Sequence, residues 1–269
     1  MPFTLSHPVF AAPFRHLKLK NRNMFSTTGL VLGSMSPDFE YFLMLEPYRS
    51  IGHSWAGLFF QAIPLSFLLA VLFHYTVKVP FSLHLPSVLH IDKRMYQFLY
   101  RHEFGTIRSW IVFICSVVTG FFTHIFADGF THGSGFFVSN IPMLRELVVA
   151  GLPLYKFLQY FFSVIGLAVL SGLLMYELSK SSAAIAIPWN ISKKQKVVFW
   201  FRGAAISVIV TAVKLILADS QNIIGILVVA PISGAVLGIT VSSLIWQIRN
   251  RKTGNRVKDQ VLKSNEMKQ

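Results

Sequence analysis

The densest run of reactive side chains in this chain is Thr123-His124-Ile125-Phe126-Ala127-Asp128-Gly129-Phe130-Thr131-His132-Gly133. His124 and Asp128 stand four residues apart, so on a helix they project from one face and can share a ligand. Imidazole nitrogen and carboxylate oxygen are the ordinary ligands of a hydrolytic zinc ion. Gly129 and Gly133 let the chain turn after the helix and bring His132 back over the same point. The pair closes an otherwise apolar stretch, where ionisable groups are costly and face a cavity or a partner. A hydrogen bond at a helix end uses the same spacing, so the pair alone leaves both readings open.

Three further groups belong with this run. His7 follows Ser6, Asp38 follows Ser36-Pro37, and His53 stands in Gly52-His53-Ser54 just before an apolar stretch. The expected metal set is therefore His7, Asp38, His53, His124, Asp128 and His132. His53, His124 and Asp128 form the first group, and Asp38, His7 and His132 complete a second. His16, flanked by Arg15 and Lys18, reads as an interface residue. His74, His84, His90 and His102 read as solvated or headgroup-facing. Cys115 is the single cysteine and lies in an apolar stretch, which excludes a disulfide framework and a Cys-based metal site.

The elements that must position these groups are membrane spans. Hydrophobic residues make up 53% of the 269 positions and charged residues 13%, with a mean hydropathy of +0.55. A soluble domain carries about a quarter charged residues. Crossing a bilayer core takes roughly 20 mostly apolar residues, and five stretches qualify: 55–75, 109–128, 155–178, 197–218 and 222–248. The fourth carries Arg202 and Lys214, with Asp219 the nearest acidic residue. The expected fold is an all-α polytopic transmembrane helix bundle with short N-terminal helices packed on it. It forms one membrane domain, 1–248, whose segment 1–54 bears site residues, and 249–269 reads as a basic disordered tail.

The net charge of +14 is distributed as membrane anchors. With five spans, one face carries Lys78, Lys93, Arg94, Arg101, Arg108, Lys180, Lys193, Lys194, Lys196 and the basic tail. The opposite face has the fewer basic residues, and it also carries the His and Asp groups. The positive-inside rule then puts the tail in the cytoplasm and the site on the non-cytoplasmic surface. Nucleic acid is not an expected partner, because these charges do not form a folded basic patch with interleaved aromatics. The lipid bilayer is. The start MPFTLSHPVF lacks a basic-then-apolar leader, so no cleavable signal peptide is expected.

Within 1–54, Ser36 is expected to cap a helix that has Pro37 at its first position and runs through Asp38 to Leu43. Residues 76–108 read as a loop with one short helix near 93–100. Residues 129–154 read as a Gly-rich loop leading to a short helix near 143–149.

The motifs Pro2-Phe3-Thr4-Leu5-Ser6-His7, Gly33-Ser34-Met35-Ser36-Pro37-Asp38, His53-Ser54 and Thr123-His124 to Thr131-His132 resemble an uncharacterised family of bacterial membrane proteins, a domain of unknown function. The third-span entry Leu154-Tyr155-Lys156-Phe157-Leu158-Gln159, with Ser163 and Gly166, resembles it too. More distantly, the order His, Asp, His, His-x3-Asp, His is similar to the helical zinc-dependent phospholipase C and single-strand nuclease group, and to inner-membrane metal-dependent hydrolases. That resemblance implies a bacterial inner membrane and one or two divalent ions, zinc by preference. It also implies a phosphoester or lipid-linked substrate. The chain departs from the phospholipase pattern in its N-terminal ligands and in lacking a late His-x3-Glu pair, where Gln159 stands instead. The alternative is a non-enzymatic membrane protein, for ion transport or as a scaffold, whose His and Asp residues form a structural hydrogen-bond network.

Overall fold

Hydroxyl side chains set the starts of most of the helices that matter here. The computed structural model describes the chain apart from residues 1–2, 20–21, 100–103, 183–186, 188, 219–221 and 267–269, and it gives the backbone alone at 19, 22 and 251–266. After a 3-10 turn at Thr4–Ser6 comes the short helix α1 (Pro8–Ala11). Ser26 Oγ accepts the Gly29 amide at 3.1 Å and opens α2 (Thr27–Met35). A 3-10 turn, Ser36–Asp38, leads into α3 (Phe39–Met44), which Leu45 ends in the left-handed region at φ 60°. Ser54 Oγ caps α4 (Trp55–His84) by accepting the Gly57 amide at 3.1 Å.

Helix α5 (Ile91–Leu99) follows. Thr106 and Ser109 then form a reciprocal capping box for α6 (Ile107–Thr131), with amide-to-hydroxyl distances of 3.2 and 3.1 Å. The chain continues through short helices at Phe136–Asn140 and Met143–Glu146 and a small hairpin pairing Val148–Val149 with Leu152–Pro153. The last helices are α7 (Leu154–Lys180), α8 (Lys193–Leu217) and α9 (Ile223–Glu266). Ser192 and Gln195 repeat the capping box at the start of α8.

Five helices are long and apolar enough to cross a membrane: Trp55–His84, Ile107–Asn140, Leu154–Lys180, Lys193–Leu217 and Ile223–Asn250. They turn large apolar side chains outward, among them Phe201, Val208 and Ile216 on α8. Lipid, not water, is the solvent such surfaces require. The chain is an all-α integral membrane protein.

Several boundaries differ from the sequence reading. The first span continues to His84, because Pro80 takes its place in the helix instead of ending it. The region read as a loop therefore begins later, and its short helix is α5. Residues 148–153 form a hairpin where the sequence suggested the end of a helix. Where a disordered tail was expected, the backbone remains helical as far as Glu266. Ser36 does not cap α3. Its hydroxyl donates to the Gly33 carbonyl at 2.7 Å, closing α2.

The chain divides into two compact units, one made of Met1–Ala70 with His102–Glu177, the other of Val71–Arg101 with Leu178–Gln269. In the first, α2 lies against α6 at backbone contact. A Cβ on Gly33 would stand 2.2 Å from the Val117 carbonyl oxygen, so only glycine fits. Phe113 and Val117 of α6 pack with Ala70 of α4, and Phe121 packs with Leu58 and Ala62. The N-terminal segment is tied to α7, where the Phe3 amide donates to Ser163 Oγ at 2.9 Å and Phe10 meets Phe162 edge to face at 5.3 Å. In the second unit α8 and α9 pack at glycines as well, a Cβ on Gly238 falling 2.6 Å from the Gly203 carbonyl oxygen. There Arg94 donates to the carbonyls of Leu178, Ser179 and Ser181, satisfying groups that a helix end leaves open.

Candidate functional site

Helix α6 delivers three of the six candidate residues. His124 and Asp128, one turn apart, bring Nε2 and Oδ2 to 3.2 Å. His132 closes the helix, its backbone N–H donating to the Asp128 carbonyl at 3.1 Å. The His132 Nδ1 also donates to that carbonyl at 3.2 Å. In the neutral tautomer that makes this bond Nδ1 carries the proton, and the same nitrogen lies 3.4 Å from Asp128 Oδ1 and 3.5 Å from the Thr131 hydroxyl.

Three other segments of the first unit converge on Asp128. The turn at Thr4–Ser6, anchored through Phe3 on Ser163, places His7 Nε2 3.2 Å from Asp128 Oδ1. The 3-10 turn before α3 supplies Asp38, whose Oδ2 accepts the Thr4 hydroxyl at 2.6 Å. That bond leaves Asp38 Oδ1 to face His53 Nε2 at 3.6 Å and His124 Nε2 at 3.8 Å. His53 comes from the loop ahead of α4, which Glu40 holds by accepting the Ser50 amide at 2.9 Å, and its Nε2 lies 3.2 Å from Asp128 Oδ2. All six sequence-expected residues thus lie together. His7, Asp38 and His124 are fully buried, and Asp128 is buried as well.

The ion-pair partners of the two carboxylates at this centre are histidines. Two carboxylates are buried, and among the described residues only histidines come within ion-pair distance of them. His124 Nδ1 donates to the Ser34 carbonyl at 2.8 Å, so in the neutral ring the Nε2 facing both carboxylates is a lone pair. Burial, together with the neighbouring His124, holds the His7 imidazole below its ordinary pKa and favours its neutral form. Burial and the Asp38 charge push the Tyr41 phenol up, so it stays protonated.

The separations have a recognisable scale. Ligands about 2.0–2.1 Å from a tetrahedral ion stand about 3.3 Å from one another. His53 and His124 lie 3.2 Å from Asp128 Oδ2, and 3.6 and 3.8 Å from Asp38 Oδ1. Two triads have ligand atoms close enough to hold an ion: His7, His124 and Asp128, and Asp38, His53 and His124. The grouping differs from the sequence expectation. In these triads Asp38 stands with His53 and His124, and His7 with His124 and Asp128.

Two positioning residues carry no sequence signature of a ligand. Thr4 orients Asp38, and the Ser34 carbonyl fixes the His124 tautomer. Both lie inside the N-terminal and Gly33-to-Asp38 motifs, which is the signal that could have found them. Gln159 is buried on α7, one turn from the Ser163 that anchors Phe3, and so belongs to the backing of the N-terminal segment. Among the other histidines, His16 and His90 are exposed. His84 is buried, contrary to the headgroup-facing expectation, donating Nδ1 to the Pro80 carbonyl at 2.7 Å and stacking on Phe199. His74 is half-buried beside Lys78. Arg202 and Lys214 are half-buried on α8, and Arg101, His102 and Asp219 lie outside the described residues.

Fold and site together define a class: an integral membrane protein with a buried histidine–carboxylate centre at one end of its helices. Within that class, the chain belongs to the family described as Domain of unknown function (DUF4184), whose family model matches residues 1–244. No curated protein and no solved structure matches it.

Proposed function

We propose that this protein is a membrane-embedded metal-dependent hydrolase acting on a phosphoester or lipid-linked substrate. The observation that carries the reading is the pair of buried carboxylates, Asp38 and Asp128, facing the single available lone pair of His124, with no lysine or arginine among the described residues within ion-pair distance of them. A divalent cation would neutralise that pair, and the donor set of imidazole and carboxylate favours zinc. His53, His124, Asp38 and Asp128 would hold the ion, with Thr4 and the Ser34 carbonyl orienting ligands from behind. Such an ion supplies Lewis acidity and a water acidic enough to attack at neutral pH. The similarity in ligand order to zinc-dependent phospholipases and inner-membrane hydrolases supports the reaction class.

The place of the centre on its helices supports a lipid-linked substrate. Asp128 lies three residues from the end of α6, about 5 Å along the axis. His53 directly precedes α4, where exposed Trp55 packs on Phe122 at 5.5 Å in the manner of an interfacial aromatic belt. The centre therefore sits near the level where headgroups begin. The basic-residue bias supports a non-cytoplasmic position for that level, with the C-terminal end in the cytoplasm, and the family resemblance supports a bacterial inner membrane.

A second reading rests on the fact that the Nε2 atoms of His7, His53 and His124 each lie 3.2 Å from an Asp128 oxygen, within reach for a direct hydrogen bond. A doubly protonated His124 would then make the cluster a structural network in a transport or scaffold protein. Elemental mass spectrometry on the untagged protein in mild detergent separates the two. Stoichiometric zinc in the wild type and background zinc in folded His124→Ala and Asp128→Ala are expected. Stoichiometric metal retained in either variant, or none in the wild type after reconstitution with zinc, defeats the hydrolase reading.

A further inference from the structure

A quartet of protein ligands leaves a tetrahedral ion no open position, whereas hydrolytic sites keep one. His7 offers the way out. It meets Asp128 through Oδ1, while His53 and His124 meet Oδ2. Its ring is stacked on that of His124, with centroids 3.8 Å apart and planes within 13°. An imidazole lone pair lies in the ring plane, so two nearly parallel stacked rings direct their lone pairs side by side and do not converge on one point. One ion cannot sit on both axes. Two ions can, and two-metal hydrolytic sites hold theirs about 3.5–4 Å apart, the spacing of this stack. The carboxylate between them is already split, one oxygen to each ring.

We infer that the centre takes two ions, bridged by Asp128, and that the ion on His7 is the open one, binding the phosphate of the substrate. This rests on the metal reading above and goes beyond it in assigning unequal roles. The inner ion has His53, His124, Asp38 and Asp128 Oδ2. Among the described residues the outer ion would have His7 Nε2 and Asp128 Oδ1, the nearby His132 Nδ1 being engaged as donor to the Asp128 carbonyl in the tautomer that makes that bond. Its remaining positions are left for water or phosphate oxygens. His132 is also the most exposed side chain of the set, at 18% against 9% for His53 and 0% for His7, which puts the entrance on that side. With two protein ligands against four, the outer ion exchanges more readily than the inner one.

The test is a zinc titration of metal-stripped, untagged protein in detergent, read as bound ions per chain. The wild type takes up two ions in a tight and a weak class. His7→Ala keeps the tight ion and loses the weak one, so its stoichiometry falls from two to one. His53→Ala loses the tight class. Manganese-loaded wild type, which depends on no variant folding, gives a spin-coupled paramagnetic resonance spectrum at full occupancy. A wild type that saturates at one ion, or an uncoupled six-line manganese spectrum at every loading, overturns the two-ion assignment and leaves the metal reading standing. Failure of the wild type to bind any ion overturns both.

Discussion

Asp92 in the second unit is partly open to solvent and Asp128 in the first is buried, and the two carboxylates are stabilised in different ways. Asp92 receives Lys196 Nζ at 2.5 Å and the Ser87 hydroxyl at 2.9 Å. The same ammonium also donates to Ser87 Oγ at 2.8 Å and the Leu85 carbonyl at 2.7 Å. Each charge in that cluster has its complement within the chain. Asp128 has four histidines around it and, among the described residues, no lysine or arginine within ion-pair distance. Both clusters are hydrogen-bonded and both join distant segments, so connectivity does not tell a staple from a site. Charge balance does. The Asp92 cluster closes electrically on itself, whereas the Asp128 cluster does so only with a protonated histidine or a bound cation.

Removing the metal should produce the largest difference between the two. A ligand at about a thousand times its dissociation constant adds about 4 kcal/mol to the folded state. For a chain of this size that moves the unfolding midpoint by on the order of 10 °C. Chelation of the zinc-loaded wild type is expected to lower the midpoint by that amount, and to do nothing to Asp128→Asn. Asp92→Asn should show the full drop, since its cluster holds no ion. A chelator-insensitive wild type breaks the comparison, because both clusters would then be closed hydrogen-bond networks.

A smaller effect tests how the first cluster is oriented. Thr4→Val keeps the shape of the side chain and removes the hydroxyl that occupies Asp38 Oδ2. Loss of such an outer partner typically weakens metal binding about 10–100-fold. The zinc dissociation constant should rise within that range while the number of ions stays the same. An unchanged constant would mean that Asp38 is fixed by something other than Thr4, and would move its role from ligand toward packing.

The comparison also shows what a sequence can and cannot carry. The spans were readable because a run of about 20 apolar residues has few other uses. The extension of α4 was hidden by His74, Lys78 and Pro80, polar or helix-breaking residues that the structure accommodates at the end of the span. The His124–Asp128 pair was legible because a helix fixes the geometry of residues four apart. The partition of the ligands was not. Whether Asp38 sits with His53 or with His7 depends on how the turn at Ser36–Asp38 lands against α6, a contact that no local spacing encodes. Ser36 was read as a cap from its type and from the proline after it. In the structure α2 runs to Met35, packed on α6 at Gly33, and the Ser36 hydroxyl takes the Gly33 carbonyl as its partner instead. Ser34 acts through its backbone, where residue identity carries no signal.

The smallest effect belongs to the closed cluster and is a matter of sign. Burial pushes the Asp92 carboxyl up, but the hydrogen bonds from Lys196, Ser87 and the Lys93 amide outweigh it and hold the group below its ordinary value. A carboxyl with a lower pKa folded than unfolded binds fewer protons in the folded state. Its contribution is therefore fully present above the ordinary aspartate value of about 4, and it is lost as the pH falls through the lower folded value. Lys196→Met removes the main cause of the depression. The expected cost is about 1 kcal/mol at pH 7, kept low because the pair is partly open to solvent. The gap between wild type and variant should close as the pH falls below 4, while bound zinc stays at the wild-type level throughout. A gap that persists in acid would assign the loss to packing of the lysine stem, and a fall in bound zinc would show that the second cluster, too, serves the metal.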